Sequence, residues 1–212
     1  MRQFLKITAT FALALVFMAG TALAQNNNDA DIEQLGDFAK ASQAQSGSDN
    51  VAYIKQTATK ASKMADGDEA RQFQSGDDNF GKILQLGNKL NFAQQRQSGD
   101  NNEARIKQQN RQLGGDVRQV QSGDLNDAFT VQEVANGSSA YTEQSGDENE
   151  AFIEQKGSTG PFNAAKNNHA SVVQTSDFNY GEIKQYSDMN NADILQSGPD
   201  NQATICQGST CI

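Results

Sequence analysis

The amino-acid sequence predicts an all-β fold, a β-solenoid of stacked two-strand coils with about seven and a half repeats of 22–24 residues. A dodecamer recurs as QSGDDNFGKILQ at 74, QSGDNNEARIKQ at 97, QSGDLNDAFTVQ at 121 and QSGDENEAFIEQ at 144. Its constant positions alternate with variable ones, which is the period of a strand. Glycine recurs within the motif without a 3.6-residue period, which argues against a helix. A fixed period of this length is typical of solenoids.

The first element is a predicted secretory signal peptide at 1–24. Arg2 and Lys6 precede the apolar run FALALVFMAG, and the small residues Ala22 and Ala24 resemble a cleavage site. The apolar run is too short for a membrane-spanning helix, which needs about 20 residues. We therefore expect residues 25–212 to form the mature, secreted chain.

The charge of the mature chain argues against nucleic acid as a partner, and its composition alone does not decide whether it folds. Without Arg2 and Lys6, 15 of the 17 basic residues remain against 26 acidic residues, a formal charge of −11. Nucleic acid is a poor partner for such a chain, because phosphate binding needs a basic surface. The abundance of Gln, Asn, Gly and Ser would by itself fit a disordered chain. The repeat instead favours a folded one.

A half unit and seven full units follow the signal peptide. They are predicted at 28–34, 39–56, 68–85, 91–108, 115–132, 138–155, 168–185 and 190–207. Two longer steps, 57–67 and 156–167, are expected to bulge out as loops, and Pro161 lies in the second. A tight turn joins the two strands of each unit, and its predicted turn and gatekeeper residues are Gly76, Asp77, Gly99, Asp100, Gly123, Asp124, Gly146 and Asp147.

The constant face of each coil is polar as well as apolar. Small residues, Ile and amide side chains alternate along it. A buried amide without a partner costs roughly 2–7 kcal/mol, but strands stacked about 4.7–4.9 Å apart let each amide bond its equivalent in the next coil. The sequence thus predicts a cross-β, amyloid-like stack with a structural ladder of Gln45, Asn50, Gln56, Gln74, Asn79, Gln85, Gln97, Asn102, Gln108, Gln121, Asn126, Gln132, Gln144, Asn149, Gln155, Gln174, Asn179, Gln185, Gln196, Asn201 and Gln207.

The two ends of the solenoid carry the same motif as its interior. The first strand, NDADIEQ, and the last, NQATICQ, are in register with the internal strands, and neither looks like a cap. Uncapped end coils expose unpaired backbone edges that act as templates. We therefore expect head-to-tail growth of many copies into a fibre.

The position two residues before the first Gln of each unit changes along the chain. Gln43, Gln72, Gln95 and Gln119 give way to Thr142, Val172 and Ile194. Apolar side chains gain more from burial than amides do. We expect the C-terminal coils to be the more stable ones and to nucleate folding.

The motif pattern resembles the curlin repeat. The pattern Gln-x-Gly-x-x-Asn-x-Ala-x-x-x-Gln recurs behind a secretory signal, and the resemblance extends over nearly all of 28–207. In curlins a Ser opens the repeat; here Ser138 keeps it, Asn91, Asn168 and Asn190 replace it, and Asp68, Gly115 and Ala39 stand in the remaining units. These departures bear on the subunit type rather than on the family.

The resemblance implies a structural subunit of curli, the extracellular amyloid fibres of bacterial biofilms, which serve surface adhesion and cell aggregation. It further implies secretion through a dedicated outer-membrane pore with a periplasmic chaperone, and assembly with copies of itself and the other curli subunit. Regular units favour the major, fibre-forming type over the minor nucleator. A monomeric secreted β-solenoid that binds a ligand is the remaining alternative.

No catalytic, cofactor or metal site is expected, and no small-molecule substrate. His169 is the only histidine and has no neighbouring nucleophile motif. The recurring Asp of the turn is interpreted as a turn former and gatekeeper against aggregation, with a divalent-cation column as the alternative. Cys206 and Cys211 are candidates for a local disulfide or for two free thiols, because two thiols make only half of a zinc site.

Overall fold

The structure, a computed structural model, describes residues 6–7, 27–35, 39–57, 67–87, 90–109, 114–133, 135–157 and 165–208. These residues form strands and turns, and none of them lies in a helix that could cross a membrane. The strands are β1 (Lys6–Ile7), β2 (Asp29–Leu35), β3 (Lys40–Ser46), β4 (Val51–Thr57), β5 (Glu69–Ser75), β6 (Phe80–Leu86), β7 (Phe92–Ser98), β8 (Glu103–Gln109), β9 (Asp116–Ser122), β10 (Asp127–Glu133), β11 (Ala135–Asn136), β12 (Ser139–Ser145), β13 (Glu150–Lys156), β14 (Ala165–Lys166), β15 (His169–Gln174), β16 (Tyr180–Gln185), β17 (Asn191–Gln196) and β18 (Gln202–Gln207).

Two parallel sheets face each other and run the length of the molecule. Sheet A has the order β1-β2-β4-β6-β8-β10-β13-β16-β18, and sheet B has the order β3-β5-β7-β9-β12-β15-β17. Each unit places its first strand in sheet B and its second strand in sheet A, so the glycine-containing turn crosses from one sheet to the other. The predicted all-β solenoid of stacked coils is confirmed.

The strands pair without any slip of register. Gln56 lies opposite Gln85, Gln85 opposite Gln108, and the same holds along sheet B, where Gln74 lies opposite Gln97. Because side chains alternate along a strand, this register puts all constant positions on the inner face. The inner face buries a column of Ala and Gly and a column of Ile, in which Ile83 and Ile153 are fully buried.

The turn between the sheets depends on glycine. Gly76 has a φ of +100°, and a Cβ at this position would lie 2.2 Å from the Gly99 carbonyl oxygen of the next coil. The residue two places later takes the left-handed conformation, with a φ of 55° at Asp78. Only glycine permits both the positive φ and the close approach of stacked turns.

Three features differ from the simple stack. Lys6–Ile7, inside the predicted signal peptide, pair with β2, so part of the N-terminal edge of sheet A is covered. Ala165–Lys166, inside the predicted loop 156–167, pair with Ala135–Asn136 as a short separate sheet. Strand β2 has no sheet-B strand opposite it in the ranges given above. The rest of the predicted signal peptide, and Pro161, lie outside the described residues.

Candidate self-assembly site

Two uninterrupted columns of glutamine run through the inside of the solenoid. In sheet A the side-chain nitrogen Nε2 of each Gln donates to Oε1 of the next, over 2.6–3.1 Å from Gln34 to Gln207. In sheet B the same bonds span 2.8–3.0 Å from Gln45 to Gln196. Every bond in both columns points the same way, from the N-terminal coil toward the C-terminal coil.

From Gln45 onward, each glutamine of these two columns also donates to a backbone carbonyl across the coil. Gln74 of sheet B donates to the backbone oxygens of Val51 and Asn79 at 3.0 and 3.1 Å, and Gln56 of sheet A donates to that of Lys40 at 3.0 Å. Both amide hydrogens are thereby satisfied inside the coil, which removes the burial penalty of the amide. The inner face therefore contains many polar side chains, but their amides are hydrogen-bonded.

A third glutamine column stops in the middle of the molecule. Gln43, Gln72, Gln95 and Gln119 are joined by bonds of 2.7–3.0 Å. The next residue, Thr142, has a buried hydroxyl oxygen without a partner, and Val172 and Ile194 continue the column as apolar side chains. Whether the apolar C-terminal coils nucleate folding stays a prediction.

The asparagine column fixes the turn to its neighbour. The Asn50 side-chain oxygen accepts from the Asn79 backbone N–H at 3.0 Å, and the Asn50 side-chain nitrogen donates to the Gly76 carbonyl at 2.7 Å. Asn79 and Asn102 repeat both bonds one coil further on. Each Asn therefore binds two backbone groups of the next coil, and it links successive turns as the Gln columns link successive strands.

A further column of polar side chains, which was not predicted from the sequence, begins at Asp68. The Asp68 carboxylate accepts the Asn91 backbone N–H at 2.9 Å, and the Asn91 side-chain oxygen accepts that of Gly115 at 2.7 Å. The Ser138 hydroxyl and the Asn168 side chain do the same for the coils that follow. Asp68, Asn91, Ser138 and Asn168 share one role, because each supplies a side-chain oxygen there, whereas Gly115 and Ala39 supply none.

The turn aspartates also form a column, with a role that neither interpretation from the sequence included. The Asp77 carboxylate accepts the Ser48 backbone N–H at 2.7 Å. Asp100, Asp124, Asp147 and Asp177 each accept the N–H of the preceding turn at 2.8–2.9 Å. Each carboxylate thus binds a backbone amide of the previous coil.

Hydrogen bonding sets the ionisation of the first of these carboxylates. The Ser48 side chain, and then the Ser48 backbone N–H, lower the pKa of Asp77 below its ordinary value. This is the direction expected for a carboxylate that accepts hydrogen bonds in its charged form. No group of three or more His, Cys, Asp or Glu side chains within the described ranges is placed to hold a metal ion.

The two ends of the solenoid are complementary in their amides. At the C-terminal end Gln207 donates to the Asn191 carbonyl at 2.8 Å, and within the described part of the chain its second amide hydrogen has no Gln above it. At the N-terminal end the Gln34 and Gln45 side-chain oxygens accept no hydrogen bond from any described residue. One end therefore offers donors and the other acceptors.

The end coils also leave core side chains partly uncovered. Ile205 and Ala203 of β18, and Ile32 of β2, are only partly buried, whereas their interior equivalent Ile183 is fully buried. A further coil at either end would complete this burial, which favours adding one.

Cys206 and His169, which the sequence also singled out, are both exposed on the surface. Cys206 lies on the outer face of the last strand and is disulfide-bonded, while Cys211 lies outside the described residues. His169 accompanies Ser139, with 2.8 Å between Nδ1 and the hydroxyl oxygen, and Asp193, with 3.7 Å between Nε2 and the carboxylate. His169 and Asp193 are largely exposed on the open face of sheet B, which suits a surface hydrogen bond better than catalysis.

Comparison with known proteins identifies the repeat. Residues 26–58, which contain β2, β3 and β4, match the family model described as curlin associated repeat. The match is consistent with the curlin family, whose members are structural rather than enzymatic. No curated protein and no solved structure matches the chain.

Proposed function

We propose that this chain, which carries a curlin-associated repeat, is a structural subunit of an extracellular curli-like amyloid fibre and grows by head-to-tail stacking of its coils. The single observation that carries the proposal is the common direction of the Gln columns. Gln207 ends the sheet A column on a donor, and Gln34 begins it on an acceptor. A second copy placed on the C-terminal end continues the same column across the junction.

The regular coils support the fibre-forming subunit rather than a nucleator. From β3 to β18 each coil offers its neighbour the same strand register, and the interior coils bury the same kinds of columns. Secretion through an outer-membrane pore, a periplasmic chaperone and a role in biofilm and adhesion belong to the same proposal. They rest on the family.

In this proposal, removal of the signal peptide exposes the N-terminal edge of sheet A. Strand β1 lies within residues 1–24 and pairs with Asp31 and Ile32 of β2. Cleavage after Ala24 removes β1 and leaves the backbone of β2 open, as β17 and β18 are at the other end. An open parallel edge is a template for another strand.

The test uses the purified mature chain and a variant blocked at one edge. The Tyr180 backbone N–H donates to the Asn201 carbonyl of the next coil at 2.8 Å, so the equivalent N–H of Gln202 points out of the C-terminal end. Gln202→Pro removes this donor at the first residue of the strand, where proline is tolerated. We expect growth on preformed seeds to slow roughly tenfold, because the ring also obstructs the incoming strand.

Gln202→Ala is the matched control and should grow like the parent chain, since it keeps the N–H. Growth is followed by thioflavin fluorescence and by electron microscopy of fibre length. A mature chain that stays a soluble monomer for days would refute the proposal. So would equal growth of the Pro and Ala variants.

A further inference from the structure

The outer face of sheet A changes its charge along the solenoid axis. Strand β2, at the N-terminal end of the face, carries the acids Asp29, Asp31 and Glu33 and no base. We call the outward side chains of β4, β6 and β8 the basic segment, and those of β10, β13 and β16 the acidic segment. The basic segment holds four bases against one acid, a formal charge of +3: Lys55, Lys82, Arg105 and Lys107 against Glu103. The acidic segment holds five acids against two bases, a formal charge of −3: Asp127, Glu133, Glu150, Glu154 and Glu182 against Lys156 and Lys184.

Part of this charge is neutralised within the face. Arg105 pairs with Glu103, and Lys184 pairs with Glu182. In contrast, Lys82 and Lys107 of the basic segment form no ion pair with any described residue. The same is true of Asp127 and Glu150 of the acidic segment. Two positive and two negative charges therefore remain for an external partner.

The acidic segment contains a recess as well as charge. A depression of about 400 Å³ opens between Asp127, Glu150 and the rings of Phe129 and Phe152, and the cations Arg105 and Lys184 lie at its wall. One carboxylate oxygen of Asp127 is buried there without a hydrogen-bond donor. A long basic side chain reaching into the recess would bind the carboxylates and lie over the rings, as Lys184 already lies 5.8 Å from the Phe152 ring centre.

From these features we infer that the outer face of sheet A binds a second copy of the same chain in antiparallel orientation, side by side. Reversing the axis of the partner brings its acidic segment over the basic segment, and the converse contact forms by symmetry. A parallel partner would place like charges opposite each other, which is unfavourable. Pairing through this face joins neighbouring filaments laterally and so adds to the axial growth proposed above.

The face is large enough for such an interface. Seven residues per strand and eight strands, β2 to β18, give a surface of about 23 by 38 Å, or roughly 900 Å². Specific interfaces bury about 800 Å² on each partner. The face also carries partly exposed apolar side chains between the charges, including Phe80, Leu84 and Leu86.

Charge reversal with mixing tests the inference. Lys82→Glu with Lys107→Glu changes the basic segment from +3 to −1, and Asp127→Lys with Glu150→Lys changes the acidic segment from −3 to +1. Each variant alone should form roughly tenfold fewer side-by-side filament pairs, because several exposed ion pairs together contribute about 1.4 kcal/mol. An equal mixture of the two variants should restore pairing. Paired filaments are counted by electron microscopy, and a gold label at the C-terminus gives their relative direction.

Lys40→Glu with Arg96→Glu, on the outer face of sheet B, is the control with the same charge change, and it should leave pairing unchanged. Unchanged pairing in both face variants, no recovery in the mixture, or parallel pairs would overturn the inference. Thioflavin kinetics report axial growth separately. If no fibre forms at all, the proposed function fails, and sedimentation of the soluble chains then tests the same face for a salt-sensitive dimer.

Discussion

The Gln119 side-chain amide donates a hydrogen bond to the Thr130 hydroxyl at 3.1 Å, across the coil from sheet B to sheet A. Thr130 stands where the other coils have Ile, and Gln119 is the last amide of the third glutamine column. The two residues complement each other, because the column ends on a partner from the facing strand. One coil later Thr142 has no such partner.

Thr142→Val should therefore stabilise the solenoid by about 1 kcal/mol, because it removes a buried unsatisfied hydroxyl and keeps the shape. Thr130→Val is the matched control and should not stabilise the solenoid, because the Thr130 hydroxyl already has a partner in Gln119. The denaturant concentration that dissolves half of the fibre measures both. Equal effects of the two substitutions would contradict this account.

Two glycines of one repeat should respond differently to alanine. Gly76→Ala should cost more than about 3 kcal/mol, since Cβ would meet a backbone oxygen at 2.2 Å with φ at +100°. Gly81→Ala should change stability by less than about 1 kcal/mol, because its Cβ would meet only side-chain amide ends at 3.1–3.2 Å. Ala occupies the equivalent position in the neighbouring coils. The same dissolution assay measures both, and a large loss in Gly81→Ala would contradict the prediction.

Asp100 tests the role of the turn carboxylates. Asp100→Ala should destabilise the fibre by about 1 kcal/mol, as loss of a helix cap does, because the Asp77 N–H loses its acceptor. Asp100→Asn keeps a side-chain oxygen as the acceptor and should lower the stability of the fibre by only a few tenths of 1 kcal/mol. Seeded growth and dissolution are measured with calcium and with chelator. Growth that speeds up in both variants without loss of stability would instead favour gatekeeping, and calcium dependence would favour the cation column.

Tyrosine ionisation should destabilise the fibre at high pH. Burial, and then the hydrogen bond to Glu143, raise the pKa of Tyr141 to about 12. The unfolded chain loses this proton near pH 10, so stability is complete below about pH 10 and falls as the pH rises toward 12. Tyr141→Phe should make this fall less steep. Ultraviolet titration checks it, and Tyr141 ionising near pH 10 in the fibre would contradict it.

Period and spacing were enough to predict the inner face. Gln85 and Ile83 alternate with variable residues, and a strand puts alternate residues on one face, so their burial follows from the pattern. The Asp77–Ser48 contact could not be predicted, because it joins a side chain to a backbone group 29 residues away, in the preceding coil. Asn91 and Ser138 looked irregular, since the sequence does not show that they offer the same oxygen at the same place.

The pairing of Lys6–Ile7 with β2 was also unforeseen. Residues 1–24 were predicted to be a signal peptide separate from the fold, whereas an open edge accepts any adjacent extended segment. The N-terminal edge of sheet A, which was predicted to bind another molecule, pairs here in part with a segment of the same chain. Only the uncleaved chain can make this contact.

The half unit gives the N-terminal end of the molecule a step, because β2 extends sheet A one strand beyond sheet B in the described part of the chain. When the flat C-terminal end of one subunit stacks on this step, either sheet B lacks one strand at the junction or β2 is displaced. If β2 stacks on β18, each subunit occupies eight strand spacings, about 38 Å along the fibre, with a periodic gap in sheet B. If β3 stacks on β17 and β2 is expelled, the repeat is seven spacings, about 34 Å. Fibre diffraction along the meridian distinguishes the two lattices.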